Sequence, residues 1–119
     1  METHALVIVD SAGVIRVWSS GAERLFGYDE DSAVGQTLDL IVPESYRERH
    51  WAGFRAAASS GRMKIDDPAA NLPIACRNGS VVRFPGRPLL LRDAQNEVIG
   101  AMGIFMTSEG AEDNGLPNV

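Results

Sequence analysis

The sequence predicts an α+β domain in which an antiparallel sheet carries helices over one face. Three observations lead there. Short apolar, β-branched runs bounded by turn residues stand at both ends of the chain. Small helical segments with polar starts and glycine stops fill the middle. One longer helical stretch then gives way to strand pattern again, so the order is two strands, a group of helices, and about three strands.

Residues 5–9 (Ala-Leu-Val-Ile-Val) form the first strand, and Asp10-Ser11-Ala12-Gly13 supplies a turn. Residues 14–18 resume the strand pattern, which makes the pair a β-hairpin. Ser19 or Ser20 caps a short helix that runs through Phe26 and stops at Gly27. Asp29 starts another helical turn over 31–34, ended by Gly35. Pro43 opens the longer helix, because its missing N–H would be unpaired at a first helical position anyway. Glu44 and Glu48 complement the helix dipole at that end, and Ser59-Ser60-Gly61 closes the helix.

Asp66-Asp67-Pro68 and Leu72-Pro73 interrupt any regular element, so 62–75 is expected to be an irregular loop or a weak edge strand. Asn78-Gly79 marks a hairpin turn, since Asn-Gly adopts positive φ at little cost. Residues 81–84 and 88–91 are strand material, expected to be broken by Pro85-Gly86. A turn over 93–97 leads to the last strand, 98–106. From Ser108 onward the chain is polar and glycine-rich, so the domain is expected over 1–107 with a disordered tail over 108–119.

Composition narrows the function. The 119 residues, 45% hydrophobic and 23% charged, suffice for one soluble domain with one core. A net charge of −5 argues against nucleic acid or an anionic membrane as partner, because phosphate binding needs a basic surface. The single cysteine, Cys76, cannot form an intramolecular disulfide, which suits a reducing compartment. No apolar run approaches the roughly 18 residues of a membrane span, and no basic segment leads into an apolar one. The expected location is therefore the cytoplasm. His4 and His50 lie far apart in sequence without zinc-ligand spacing, and neither a phosphate loop nor a Gly-x-Ser-x-Gly elbow is present. These absences speak against an enzyme.

The residues Gly13-Val14-Ile15, Ser20-Gly21-Ala22-Glu23-Arg24-Leu25-Phe26-Gly27-Tyr28, Val34-Gly35-Gln36, Pro43-Glu44, Arg77-Asn78-Gly79 and Val98-Ile99-Gly100 together resemble PAS domains over about residues 5–107. The resemblance implies a five-stranded antiparallel sheet with short helices and one longer helix packed over one face, enclosing a cavity. Within that family the chain is most similar to the haem-binding domains of FixL-type oxygen sensors, through Ala22-Glu23-Arg24-Leu25-Phe26-Gly27, Ala33-Val34-Gly35-Gln36 and the run from Pro43 to His50. His50 falls where those sensors place the ligand to haem iron. The resemblance thus implies haem b held by His50 and a diatomic gas, O2, CO or NO, on the open side of the iron.

The residues themselves are compatible with that implication. On a helix, His50 shares a face with Tyr46, Gly53, Phe54 and Ala57, and the small Gly53 and Ala57 would leave room for a flat macrocycle. Alternation on the last strand puts Ala101, Gly103 and Phe105 on one face, where two small residues beside Leu90 of the preceding strand could admit a porphyrin. Met102, Ile104 and Met106 then form an apolar stripe on the other face, suited to a homodimer contact.

The chain also departs from those sensors. Ala70 stands where they carry an arginine that hydrogen-bonds bound oxygen, so the gas side would be more apolar. Ala56 and Lys64 stand where they hold the haem propionates; Lys64 could serve, and Arg55 adjoins Ala56. Met106-Thr107-Ser108 replaces the usual Asp-Ile-Thr ending. Cys76 lacks the flavin-binding Asn-Cys-Arg-Phe-Leu-Gln context and reads as a free structural thiol, while Trp18 and Trp51 read as core anchors.

Two functions from different classes remain open on these residues. One is a haem-b gas sensor. The other is a PAS module without haem that binds another small molecule or serves as a dimerisation or interaction domain. A His on a partly apolar helix also packs as an ordinary core residue in many proteins. With no effector domain in the sequence, the expected output is through an effector domain elsewhere or a partner protein in trans.

Overall fold

The structure, a computed structural model, describes residues 2–61 and 71–108. In chain order the elements are β1 (Glu2–Asp10), β2 (Ile15–Trp18), α1 (Ser20–Phe26), α2 (Glu30–Ala33), α3 (Arg47–Ser60), β3 (Asn71–Ala75), β4 (Val81–Arg92) and β5 (Val98–Ser108). Two 3-10 turns, Leu38–Leu40 and Glu44–Tyr46, join α2 to α3. The five strands form one sheet in the order β2-β1-β5-β4-β3, every neighbouring pair antiparallel. Lys64 and Ala70 lie outside the described residues, as does the expected tail beyond Ser108.

The first hairpin is closed by one side chain. The Asp10 carboxylate accepts from the N–H groups of Ala12 (2.9 Å) and Val14 (3.0 Å) and from Arg16 Nε (2.9 Å). The Val14 N–H leads in holding this carboxyl below the ordinary value, against the desolvation that opposes it. A register shift between Ile8 and Val9 skips Arg16, so both Ile15 and Trp18 point into the core.

The helix caps follow the sequence closely. Ser19 is the N-cap of α1, accepting from Ala22 N–H at 3.2 Å, and the same hydroxyl accepts from Leu6 N–H of β1 at 2.8 Å. Gly27 ends α1 at φ 93°, a conformation that favours glycine. Asp29 caps α2 through Ser32 N–H at 2.8 Å, and Gly61 caps the end of α3 at φ 74°. Phe26, fully buried at the end of α1, is the centre of the core: its ring lies 5.3 Å from Phe84, 5.4 Å from Phe105 and 5.8 Å from Trp18.

Three expectations are corrected. The α-helix begins at Arg47, since Pro43, in extended conformation, precedes a 3-10 turn and Tyr46 has ψ −4°. Arg47 stabilises that arrangement by donating to the carbonyls of Val42 (3.1 Å) and Asp39 (3.2 Å). Pro85-Gly86 does not break β4. Residues up to Pro85 pair with β3, whereas pairing with β5 starts at Gly86, so the missing N–H of proline falls where the strand changes partner. Gly86 also gives room to Phe105, whose Cδ1 would lie 2.7 Å from a Cβ at that position. Finally, Trp51 is not part of the central core that holds Trp18. It is half-buried on Gly13, where any Cβ would collide with the indole, and its Nε1 donates to Asp39 Oδ1 at 2.7 Å.

Candidate functional site

His50 lies one turn into α3, half-buried against the edge of Trp51 (ring centroids 4.8 Å apart) and the face of Phe54 (6.3 Å). Its Nδ1 is buried and has no hydrogen-bond partner. Burial pushes the imidazole pKa below 6.5, while the Asp39 carboxylate pulls weakly the other way. The side chain is therefore neutral at pH 7 and keeps a lone pair available. A buried polar nitrogen without a partner costs about 1–3 kcal/mol, so it marks a place where a partner would stabilise the protein.

The residues grouped with His50 in the sequence separate in space. Phe54 packs against the core and Ala57 is buried, so both lie inward along with the imidazole. Gly53 is exposed, and a Cβ there would meet nothing within 4 Å. Tyr46 is turned to the side: its hydroxyl accepts from Arg83 Nη2 at 3.0 Å and Arg49 stacks over its ring at 5.3 Å. Ala56 and Arg55 are exposed.

On the sheet, Leu90 pairs with Ala101, and both are half-buried. Ala101 packs against the core and Gly103 pairs with Val7 and Pro88. The recess that the small residues would leave is covered by Phe105. A Cβ on Gly103 would lie 2.8 Å from Phe105 Cε2, so the ring spans the two glycine positions 86 and 103. Among the described residues no side-chain hydrogen bond or ring contact links His50 to this face of the sheet.

Other chemistry is sparse. Among the described residues no three His, Cys, Asp or Glu side chains gather as a metal site. The Cys76 thiol sits 3.9 Å from the carbonyls of Leu25 and Ile74, and burial raises its pKa, which makes it a poor nucleophile. A groove of about 560 Å³ runs between the end of α1 and the β3–β4 turn, past Arg24, Arg77, Asn78 and Ser80. It includes no residue of the His50 cluster. No described helix is long and apolar enough to cross a membrane.

Sequence reasoning missed Asp39, Arg83 and Arg92, which position the His50 helix. Nothing local announces them, because each acts on a residue eight or more positions away or on another element.

A family model described as PAS fold matches residues 3–107. The sensor protein FixL of Bradyrhizobium diazoefficiens is 44% identical over 46 residues, covering 39% of this chain and 9% of that protein. The oxygen sensor protein DosP of Escherichia coli is 21% identical over 76 residues, 64% of this chain and 10% of DosP. The chain thus spans about a tenth of the length of these curated relatives. The PAS domain of a Colwellia psychrerythraea protein superposes with a TM-score of 0.72 at 20% identity, over 87% of this chain and 84% of that one. At that identity the likeness concerns the fold.

Proposed function

The chain belongs to the PAS family, and on that premise we propose that it is a sensor that holds haem b through His50 and detects a diatomic gas, O2, CO or NO. PAS domains are generally sensory modules rather than enzymes, and they bind small ligands and mediate signalling contacts. The observation that carries the haem reading is the half-buried, neutral imidazole of His50, whose buried Nδ1 has no hydrogen-bond partner, on the helix whose Phe54 packs against the core. The similarity to FixL and to the oxygen sensor DosP supports the same choice.

The residues fit the group at the iron side. His50 would supply the nitrogen that binds the iron, and Phe54, Ala57, Leu90, Ala101 and Gly103 would line the macrocycle. Tyr46 and Gly53 would stand at the flanks of the helix. When bound, haem supplies a ferrous iron with one position open to a gas. This chain's own contribution is to keep the imidazole neutral, orient it through Trp51 and Phe54, and exclude water. Phe105 has to turn away from Gly103 and Gly86 before a macrocycle reaches the sheet, and its ring contact with Phe26 couples that turn to the core.

The covered recess favours one second reading, a ligand smaller than haem bound without iron. Either way the signal would leave through an effector domain or a partner protein, in the cytoplasm. The outer face of the sheet suits a homodimer: Val17, Ile8, Met102 and Leu89 line up across four strands, with Ile104 and Met106 alongside.

Absorption spectroscopy after haemin addition, oxidised, dithionite-reduced and CO-treated, decides between the two readings. A sharp stoichiometric Soret band that shifts with CO and disappears in His50→Ala is expected. A broad band like that of free haemin overturns the haem reading and leaves the smaller ligand.

A further inference from the structure

Strand β4 reaches both ends of α3. Near its start, Arg83 donates from Nη2 to the Tyr46 hydroxyl at 3.0 Å and from Nη1 to the Asn71 carbonyl at 3.1 Å. At its end, Arg92 donates from Nη2 to the Gly61 carbonyl and from Nη1 to the Asn96 carbonyl at 3.0 Å. Tyr46 is the residue before α3 and Gly61 the residue after it. Between these points Arg47 and Trp51 bond back toward the preceding 3-10 turn region. The inward packing of α3 includes the buried Ala57 and the half-buried Phe54 and His50.

Lengths explain why one strand serves both ends. The nine steps from Arg83 to Arg92 span about 30 Å at ~3.3 Å each. The 14 residues of α3 span about 21 Å, and two long guanidinium side chains cover the difference. Strand β3, with five residues, has four such steps and spans only about 13 Å at ~3.3 Å each. Gly61 adds a local requirement. It stands at φ 74°, and a Cβ there would lie 2.8 Å from Arg92 Nη2, so the absence of a side chain admits the guanidinium to the carbonyl. Arginine suits the place because its planar fork serves two carbonyls on different elements, which a lysine ammonium does poorly.

We propose that Arg83 and Arg92 clasp α3 to β4 at the two ends of the helix, so that helix and strand shift together and occupancy at His50 is passed through β4 to the β4–β5 turn. The clasp stands on the hydrogen bonds alone; its role in signalling rests on the reading of His50 as the ligand-bearing residue. Both arginines are exposed, so their replacement leaves the core intact.

Hydrogen exchange resolved by peptide separates the two parts. In the protein without haemin, Arg92→Met is expected to speed exchange in the last turn of α3 about fivefold, and Arg83→Met in its first turn, as expected for one lost bond. Other strands should keep wild-type rates, and Arg92→Lys should restore protection only partly. Unchanged α3 exchange in both variants overturns the clasp. With haemin added, wild-type protein should change its exchange over 93–97, and Arg92→Met should lose that change while its Soret band stays the same. If the change persists in Arg92→Met, the relay through Arg92 is wrong. If haemin fails to bind wild-type protein, the haem reading fails, while the exchange measured without haemin still decides the clasp.

Discussion

The two helical layers meet the sheet in different ways. Between α1 and β1 the packing is tight. Gly21 lies so tight on β1 that a Cβ would collide with the His4 carbonyl, Ser19 satisfies two N–H donors, and Phe26 touches three aromatic rings. Under α3 the fit is looser: the helix is fastened at its tips and by Trp51, while a buried nitrogen of His50 lacks a partner. The first layer specifies the fold. The second leaves a buried nitrogen unpaired, the place where a ligand would bind on the proposed reading.

The largest effect should come from breaking the closed layer. Phe26→Ala is expected to cost about 3–5 kcal/mol, read as a lowered urea midpoint. Gly21→Ala should cost about 1–3 kcal/mol through the clash with the His4 carbonyl, read in the same titration. Gly103→Leu should cost a similar ~1–3 kcal/mol by displacing Phe105 and should also weaken haemin uptake in a spectral titration; unaffected uptake would mean that the macrocycle does not face Gly103.

On the α3 side the costs should shrink. Trp51→Phe keeps a ring over Gly13 but loses the bond to Asp39, at about 1 kcal/mol in thermal melts.

His50 should show the smallest effect at neutral pH and a distinctive sign. Its folded pKa is depressed, so the stability tied to the neutral form is whole above the ordinary value of 6.5. That stability declines as pH falls below it, until the folded pKa is reached, because the unfolded chain takes up the proton first. His50→Phe should flatten this part of the urea-midpoint profile between pH 7.5 and 5.5. A His50 variant as damaging as Phe26→Ala would abolish the contrast between the layers.

Much of the closed layer was legible in the sequence, because its signals are local. Gly27 and Asp29 act within a turn of their own positions, as Ser19 does toward Ala22, and the strands declare themselves by β-branched runs. The continuity of β4 was not legible. Pro85-Gly86 looks like an interruption until the change of partner from β3 to β5 is seen, and that is a property of the sheet. The His50 face was legible only by helical spacing, which grouped Gly53 with it. Spacing does not reveal which way the helix rolls once Trp51 docks on Gly13. The cover that Phe105 makes over two glycines on different strands is likewise a matter of three-dimensional packing.

The change of partner along β4 has a consequence for how the sheet comes apart. Within the sheet β3 pairs only with the stretch of β4 before Gly86, so once the bonds from Ala75 N–H to the Ile41 carbonyl (2.8 Å) and from Arg77 N–H to the Phe26 carbonyl (2.9 Å) open, the β3–β4 hairpin can peel from the edge while the ladder between β4 and β5 stays shut. The proline marks the seam, since no hydrogen bond from its nitrogen has to be broken there. Opening at this edge is therefore a smaller cooperative event than global unfolding, and the non-proline amides of 71–75 should lose their protection from exchange before the non-proline amides of 86–92.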